Sequence, residues 1–131
     1  MQYPIVLNKG PFSVFTPGLK AIYSNGKWWF HVQSLMAAIG YSMSYIANVR
    51  MLCKRLPKGS CIYVIRTSKP TSGAKDVYTD FDGWQCIIRG GNKTLTDDML
   101  ESYLNAKKSM ALCNDDSPEL NPEYAIVSND A

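Results

Sequence analysis

Between Arg50 and Lys75 the chain carries Arg50, Lys54, Arg55, Lys58, Arg66, Lys69 and Lys75, and the next acid is Asp76. Cations at that density repel one another unless a polyanion or an acidic surface faces them. The chemistry open to them is phosphate neutralisation, which needs charge and reach but little geometry. Base recognition would fall to a few side chains such as Ser44, Asn48 or Arg50, whose donors and acceptors can meet groove edges. The competing reading is a solvated polar face, with the cations spread over several sides of the fold.

Other residue types with chemical potential have simpler explanations. His31 is the only histidine, and no acid or nucleophile can be paired with it from the sequence. Asp80 and Asp82 stand two apart at an expected helix start, where Asp is more often a cap than a catalyst. Gly90-Gly91-Asn92-Lys93 lacks the glycine spacing and the following hydroxyl of a phosphate loop. Cys53, Cys61, Cys86 and Cys113 contain no C-x-x-C pair, which argues against structural zinc. They read as reduced, mostly buried thiols of a cytoplasmic protein. The expectation is therefore a non-enzymatic domain with no metal and no cofactor.

The elements that must position the cations follow from periodicity. Ile5–Leu7 and Phe12–Phe15 read as strands, as do Leu19–Tyr23 and Lys27–Phe30, which flank Ser24-Asn25-Gly26. Asn-Gly between two apolar runs predicts a hairpin with a type I′ turn. Within Trp28-Trp29-Phe30, alternate residues are expected in the core instead of stacking on bases. Val32, Leu35, Met36 and Ile39 then fall on one face of a short helix. Ser34 is a candidate N-cap for it and Gly40 can end it. A second helix is expected from Ser42 or Ser44 to about Leu56, stopped by Pro57-Lys58-Gly59. Cys61–Ile65 and Val77–Thr79 predict a second hairpin. A third helix should start near Asp80 or Asp82, carry Trp84, Ile87 and Ile88, and end at Gly90-Gly91. A fourth should begin after Thr96 and bury Met99, Leu100, Tyr103 and Leu104. The sum is an α+β fold: β-hairpins packed with about four short helices, including a helix-turn-helix-like pair near residues 32–56.

The second helix of that pair has two faces. At 100° per residue with Asn48 at zero, Leu52, Tyr45, Leu56, Val49, Cys53 and Ile46 fall between roughly 40° and 160°. Arg50, Lys54, Ala47, Met51 and Arg55 fall between roughly 200° and 340°. The outer arc thus carries three cations and no anion, as a DNA-reading helix would.

Charge is also divided along the chain. The 131 residues carry 14 basic and 11 acidic side chains, a net charge of +3. Five of the acids (Asp115, Asp116, Glu119, Glu123 and Asp130) lie in 114–131, a stretch with no Lys or Arg. Residues 1–113 are therefore strongly basic and read as one domain, followed by an acidic C-terminal tail at 114–131. Within that tail Tyr124–Val127 is apolar enough to dock as an edge strand. No run of apolar residues approaches the ~20 needed to span a bilayer, so no membrane partner is expected.

The stretch Trp29-Phe30-His31-Val32-Gln33-Ser34-Leu35-Met36-Ala37-Ala38-Ile39-Gly40-Tyr41-Ser42 resembles the core motif of the Bro-N domain family. In that family an aromatic strand end leads into a helix of the form D-v-A-x-a-L-G-Y. Tyr78-Thr79-Asp80-Phe81-Asp82-Gly83-Trp84-Gln85-Cys86-Ile87-Ile88-Arg89 is similar to its second motif, a strand entering a Gly-aromatic helix start. The resemblance covers roughly residues 11–108. Ser34 stands where the family usually has Asp, and Met36 where a small Ala is usual. The resemblance implies a transcription-regulating module of the phage or prophage antirepressor kind, often DNA-binding, shared with repeated-ORF viral proteins. The partners it implies are double-stranded DNA or, alternatively, a phage or host repressor bound without DNA; either leaves room for a homo-oligomer.

Overall fold

The computed structural model describes residues 2–7, 18–39, 41, 53–68, 76–90, 93–110 and 119–127. Asn25 and Gly26 both take positive φ, 54° and 78°, and join strand β3 (Leu19–Ser24) to β4 (Lys27–His31) in the hairpin the Asn-Gly pair predicts. On the outer side of β3 lies β2 (Ile5–Leu7). Phe12–Phe15, expected as a strand, lies outside the described residues. The second hairpin, β5 (Cys61–Arg66) and β6 (Asp76–Thr79), joins the sheet through β6, which pairs with β4. With β8 (Tyr124–Val127) on β5, the order is β2-β3-β4-β6-β5-β8, an antiparallel six-stranded sheet curled into a half-barrel.

The curl has a visible cause at the two edges. Strand β1 (Gln2–Tyr3) leads into β2, β7 (Glu119–Leu120) leads into β8, and β1 pairs with β7 in parallel. A flat sheet would hold its outer strands roughly 24 Å apart at the usual strand spacing. The links are too short for that gap: Pro4 on one side, and on the other a turn in which Tyr124 N–H donates to the Asn121 carbonyl. Asn121 N–H in turn donates to the Tyr3 carbonyl at 2.8 Å. Residues 119–127, expected to lie in an acidic tail, are thus part of the fold. Tyr124–Val127 takes the edge position that its apolar run suggests.

Both faces of the curled sheet bury side chains. Ile22 opposite Trp29 fills one face, and Ala21 opposite Phe30 fills the other. All of Trp28, Trp29 and Phe30 are therefore buried, where a flat two-layer sheet would have left alternate residues out. Three helices stand against this sheet among the described residues. Helix α1 (Val32–Ile39) starts two residues before Ser34, the expected cap, and buries Val32, Leu35 and Met36. Tyr41 N–H donates to the Met36 carbonyl at 3.0 Å, the long bond of a Schellman end. Helix α2 (Phe81–Arg89) has Asp80 as its N-cap, accepting from Gly83 N–H at 3.1 Å, and Gly90 at its end. It buries Trp84, Ile87 and Ile88, as periodicity predicts. Gly83 is required there: a Cβ would overlap Thr79 Oγ1, which already donates to the Ser60 carbonyl at 2.7 Å.

Helix α3 (Lys93–Met110) differs from expectation at its start and in its facing. It begins three residues before Thr96, so Asp97 and Asp98 sit beyond its first turn. Its buried side chains include Tyr103, Ala106 and Met110, while Leu100 and Leu104 are exposed. Tyr103, Ala106 and Met110 share an arc of roughly 60° on the wheel, and Leu104 lies roughly 100° from Tyr103. The aromatic cluster sets this facing: Tyr103 meets Trp84 edge-on at 5.5 Å, and Trp84 meets Phe30 at 4.7 Å. Phe81 stacks on Trp84 at 5.6 Å. Each such pair adds about 0.5–1.5 kcal/mol beyond area burial, enough to set the rotation of a helix whose leucines could have faced either way.

Candidate nucleic-acid interface

The expected interface divides along the described residues. Ser44, Asn48, Arg50, Lys69 and Lys75 lie outside them, as does the expected second helix over 42–52. Lys54, Arg55, Lys58 and Arg66 are described, and all four are exposed. Lys54 and Arg55 sit in a turn and not on a helix: Leu56 N–H donates to the Cys53 carbonyl at 3.3 Å. The helix expected to reach about Leu56 has ended by then, because Pro57 disfavours helical backbone at the residue before it. A second turn follows at once, Ser60 N–H donating to the Pro57 carbonyl at 3.0 Å, with Gly59 at φ 81°.

These consecutive turns bring Lys54, Arg55 and Lys58 together on one projecting segment. Its base is fixed, because the Ser60 carbonyl accepts from both Thr79 Oγ and Asp80 N–H. Among the described residues none of the three cations has an ion-pair partner. Arg66 is elsewhere, at the opposite end of β5, roughly 17 Å along the strand. It lies over the Tyr124 ring at 5.8 Å and helps to stabilise the Asp76 carboxylate. Its charge is thus partly engaged within the fold, and among the described cations of the expected interface those left free are Lys54, Arg55 and Lys58.

Two charged pairs serve as internal fasteners, Lys27 with Asp80 and His31 with Asp76. Lys27 Nζ meets Asp80 Oδ2 at 2.8 Å and lies over the Trp29 ring at 4.5 Å. Lys27 is half exposed, so the pair contributes no more than about 1 kcal/mol, less than the cap that Asp80 supplies to α2.

His31 has partners that the sequence did not reveal. Its Nδ1 lies 2.6 Å from Ser34 Oγ, and its Nε2 lies 3.1 Å from Gln33 Oε1 and 3.7 Å from Asp76 Oδ1. Both groups facing Nε2 are oxygens, so the tautomer that satisfies both ring nitrogens has Nε2 donating and Nδ1 accepting from the Ser34 hydroxyl. The close approach of His31 is the largest influence on Asp76 and holds its carboxyl below the ordinary range, with Lys20 and Arg66 adding to it against partial burial. A serine, a histidine and a carboxylate in a row resemble a nucleophile, base and orienter. The serine contact, however, spans three residues across the first turn of α1, which is how a helix start is fastened. The cluster ties α1 to β6 across the end of β4. The signal that could have found it is the alternation of β6, which puts Asp76 and Tyr78 on one face, with Tyr78 opposite His31.

Among the described residues no group of three His, Cys, Asp or Glu side chains could hold a metal ion, and no helix is long and apolar enough to cross a membrane. No family model, curated protein or solved structure matches the chain.

Proposed function

We propose that this chain is a transcription regulator of the phage or prophage antirepressor kind, with a Bro-N-like module that engages double-stranded DNA through its basic segment. The observation that carries the reading is the turn segment bearing Lys54, Arg55 and Lys58, exposed, without ion-pair partners among the described residues, and on a base fixed by hydrogen bonds. Three cations held close together suit successive phosphates along a backbone, which lie at spacings that side chains of this length can span. The resemblance of the 29–42 and 78–89 stretches to the Bro-N motifs supplies the regulatory part of the reading.

Binding of the full chain to a ~20-base-pair duplex, titrated with salt, tests it. Each neutralised phosphate should contribute about −0.9 to the slope of log K against log salt. The variant Lys54→Ala/Arg55→Ala/Lys58→Ala should weaken binding and make the slope shallower by about one per cation removed. An unchanged slope, or no duplex binding at ~50 mM salt, sinks the reading.

One observation favours a second reading, binding to a repressor's basic surface without DNA. Glu119 and Glu123 are exposed beside β8, an outer strand of the sheet. Under that reading Glu119→Gln/Glu123→Gln weakens capture of the repressor, while the triple Ala variant leaves it unchanged.

A further inference from the structure

The basic turn segment is bracketed by two cysteines whose side chains touch. Cys53 opens it and Cys61, the first residue of β5, closes it. The two hydrogen-bonded turns between them fold the chain back, and the two thiols lie within side-chain hydrogen-bond reach of each other. Cys61 is buried in the core, and Cys53 is half-buried at its margin. Cys86 lies apart, on α2.

We propose that Cys53 and Cys61 form an oxidation site, a thiol pair that hydrogen peroxide converts into an intramolecular disulfide closing the turn that carries Lys54, Arg55 and Lys58. The disulfide forms or fails independently of what those cations bind. Cys53 is the attacking thiol because it is the more accessible of the two. The bond from Cys61 also lowers the Cys53 thiol below the ordinary cysteine value, against the opposing effect of burial. The same bond raises Cys61, and burial raises it further, so Cys61 stays a thiol while Cys53 reacts first.

The chemistry balances in two steps. The Cys53 thiolate attacks one peroxide oxygen; the O–O bond breaks, and a sulfenic acid and hydroxide form, the hydroxide taking up the proton that Cys53 released. The Cys61 sulfur then attacks the Cys53 sulfur. The S–O bond breaks, the S–S bond forms, and the departing hydroxyl leaves as water with the Cys61 proton. Two thiols lose two electrons in all, and one peroxide becomes two waters.

The test treats the full chain with equimolar hydrogen peroxide, alkylates it in denaturant and digests it with trypsin. The expected result is a mass lower by about 2 Da and protection of two thiols from alkylation. Peptides 51–54 and 59–66 should be recovered as a linked pair that dithiothreitol separates. Alkylation of all four cysteines, a link to Cys86 or Cys113, or Cys53 recovered as a sulfinic acid beside free Cys61 would each overturn the proposal. Cys53→Ser keeps the buried thiol and so spares the core. In that variant Cys61 should stay alkylatable after peroxide, and its loss at the wild-type rate would overturn the assigned order of attack.

Discussion

Asp76 shows how one side chain can link three elements. It begins β6, meets His31 at the end of β4, and through His31 touches the first turn of α1 at Ser34. Its carboxyl is held below the ordinary value of 3.8, first by the close approach of His31. A carboxyl whose folded pKa is depressed contributes stability that is fully present above the unfolded value and is lost as pH falls through the folded one. Asp76→Asn should therefore be less stable than the wild type at neutral pH, and the gap should close as pH falls below 3.8. Asp76 is about two-fifths exposed, so solvent screening keeps the difference below about 1 kcal/mol. Urea unfolding followed by circular dichroism between pH 2.5 and 7 would measure it, and a gap at pH 3 equal to that at pH 7 would remove His31–Asp76 from the account of stability.

At the scale of elements, what decides legibility is whether a signal is local. The Asn25-Gly26 turn, the Asp80 cap of α2 and the buried Trp84-Ile87-Ile88 stripe were all legible, because each is a relation between residues at most four apart. The facing of α3 was not. Of the expected face Tyr103 is buried but Leu100 and Leu104 are not; Ala106 and Met110 join Tyr103 instead, a choice made by Trp84 and Phe81 on a different helix. The consequence can be measured. Leu104→Gln should change stability by no more than about 0.5 kcal/mol, as at most exposed positions. Ala106→Leu, at a fully buried site against the aromatic cluster, should cost about 1–3 kcal/mol by overpacking. If the costs came out reversed, the facing read from the sequence would be the correct one. The basic arc over 42–56 belongs to the same class of problem. Of that arc, Lys54 and Arg55 stand in a turn just after Cys53, while Ser44, Asn48 and Arg50 lie outside the described residues.

The whole molecule adds relations that no window of the sequence contains. His31 finds Asp76 only because β6, and not β5, lies beside β4, so a strand reached only after residues 32–75 returns to the centre of the sheet. The same holds more strongly for the two ends of the fold. Composition marks 114–131 as acidic and separable, but β7 closes on β1 and β8 covers β5, so residues 119–127 carry charge and structure at once. The two roles separate experimentally. Ending the chain at residue 118 should do far more than remove carboxylates. It takes the hydrogen-bonding partner from β5 and uncovers Val64 and Tyr63, and it leaves Tyr3, buried against Trp28, without the strand that holds it there. Loss of an outer strand with several half-buried apolar side chains should cost several kcal/mol, at about 1.5–3 kcal/mol for each side chain fully exposed. That is a large share of the ~5–15 kcal/mol that holds a domain of this size together. The shortened chain should therefore unfold at much lower urea, or without a cooperative transition. Glu119→Gln/Glu123→Gln removes the same two exposed charges with the strands in place and should leave the urea midpoint nearly unchanged. If the shortened chain and the double Gln variant unfolded alike, residues 119–127 would be an appendage after all and the curl of the sheet would need another cause. If they differ as expected, effects of such a truncation on DNA or repressor binding report folding, and only the charge-neutral variant reports electrostatics.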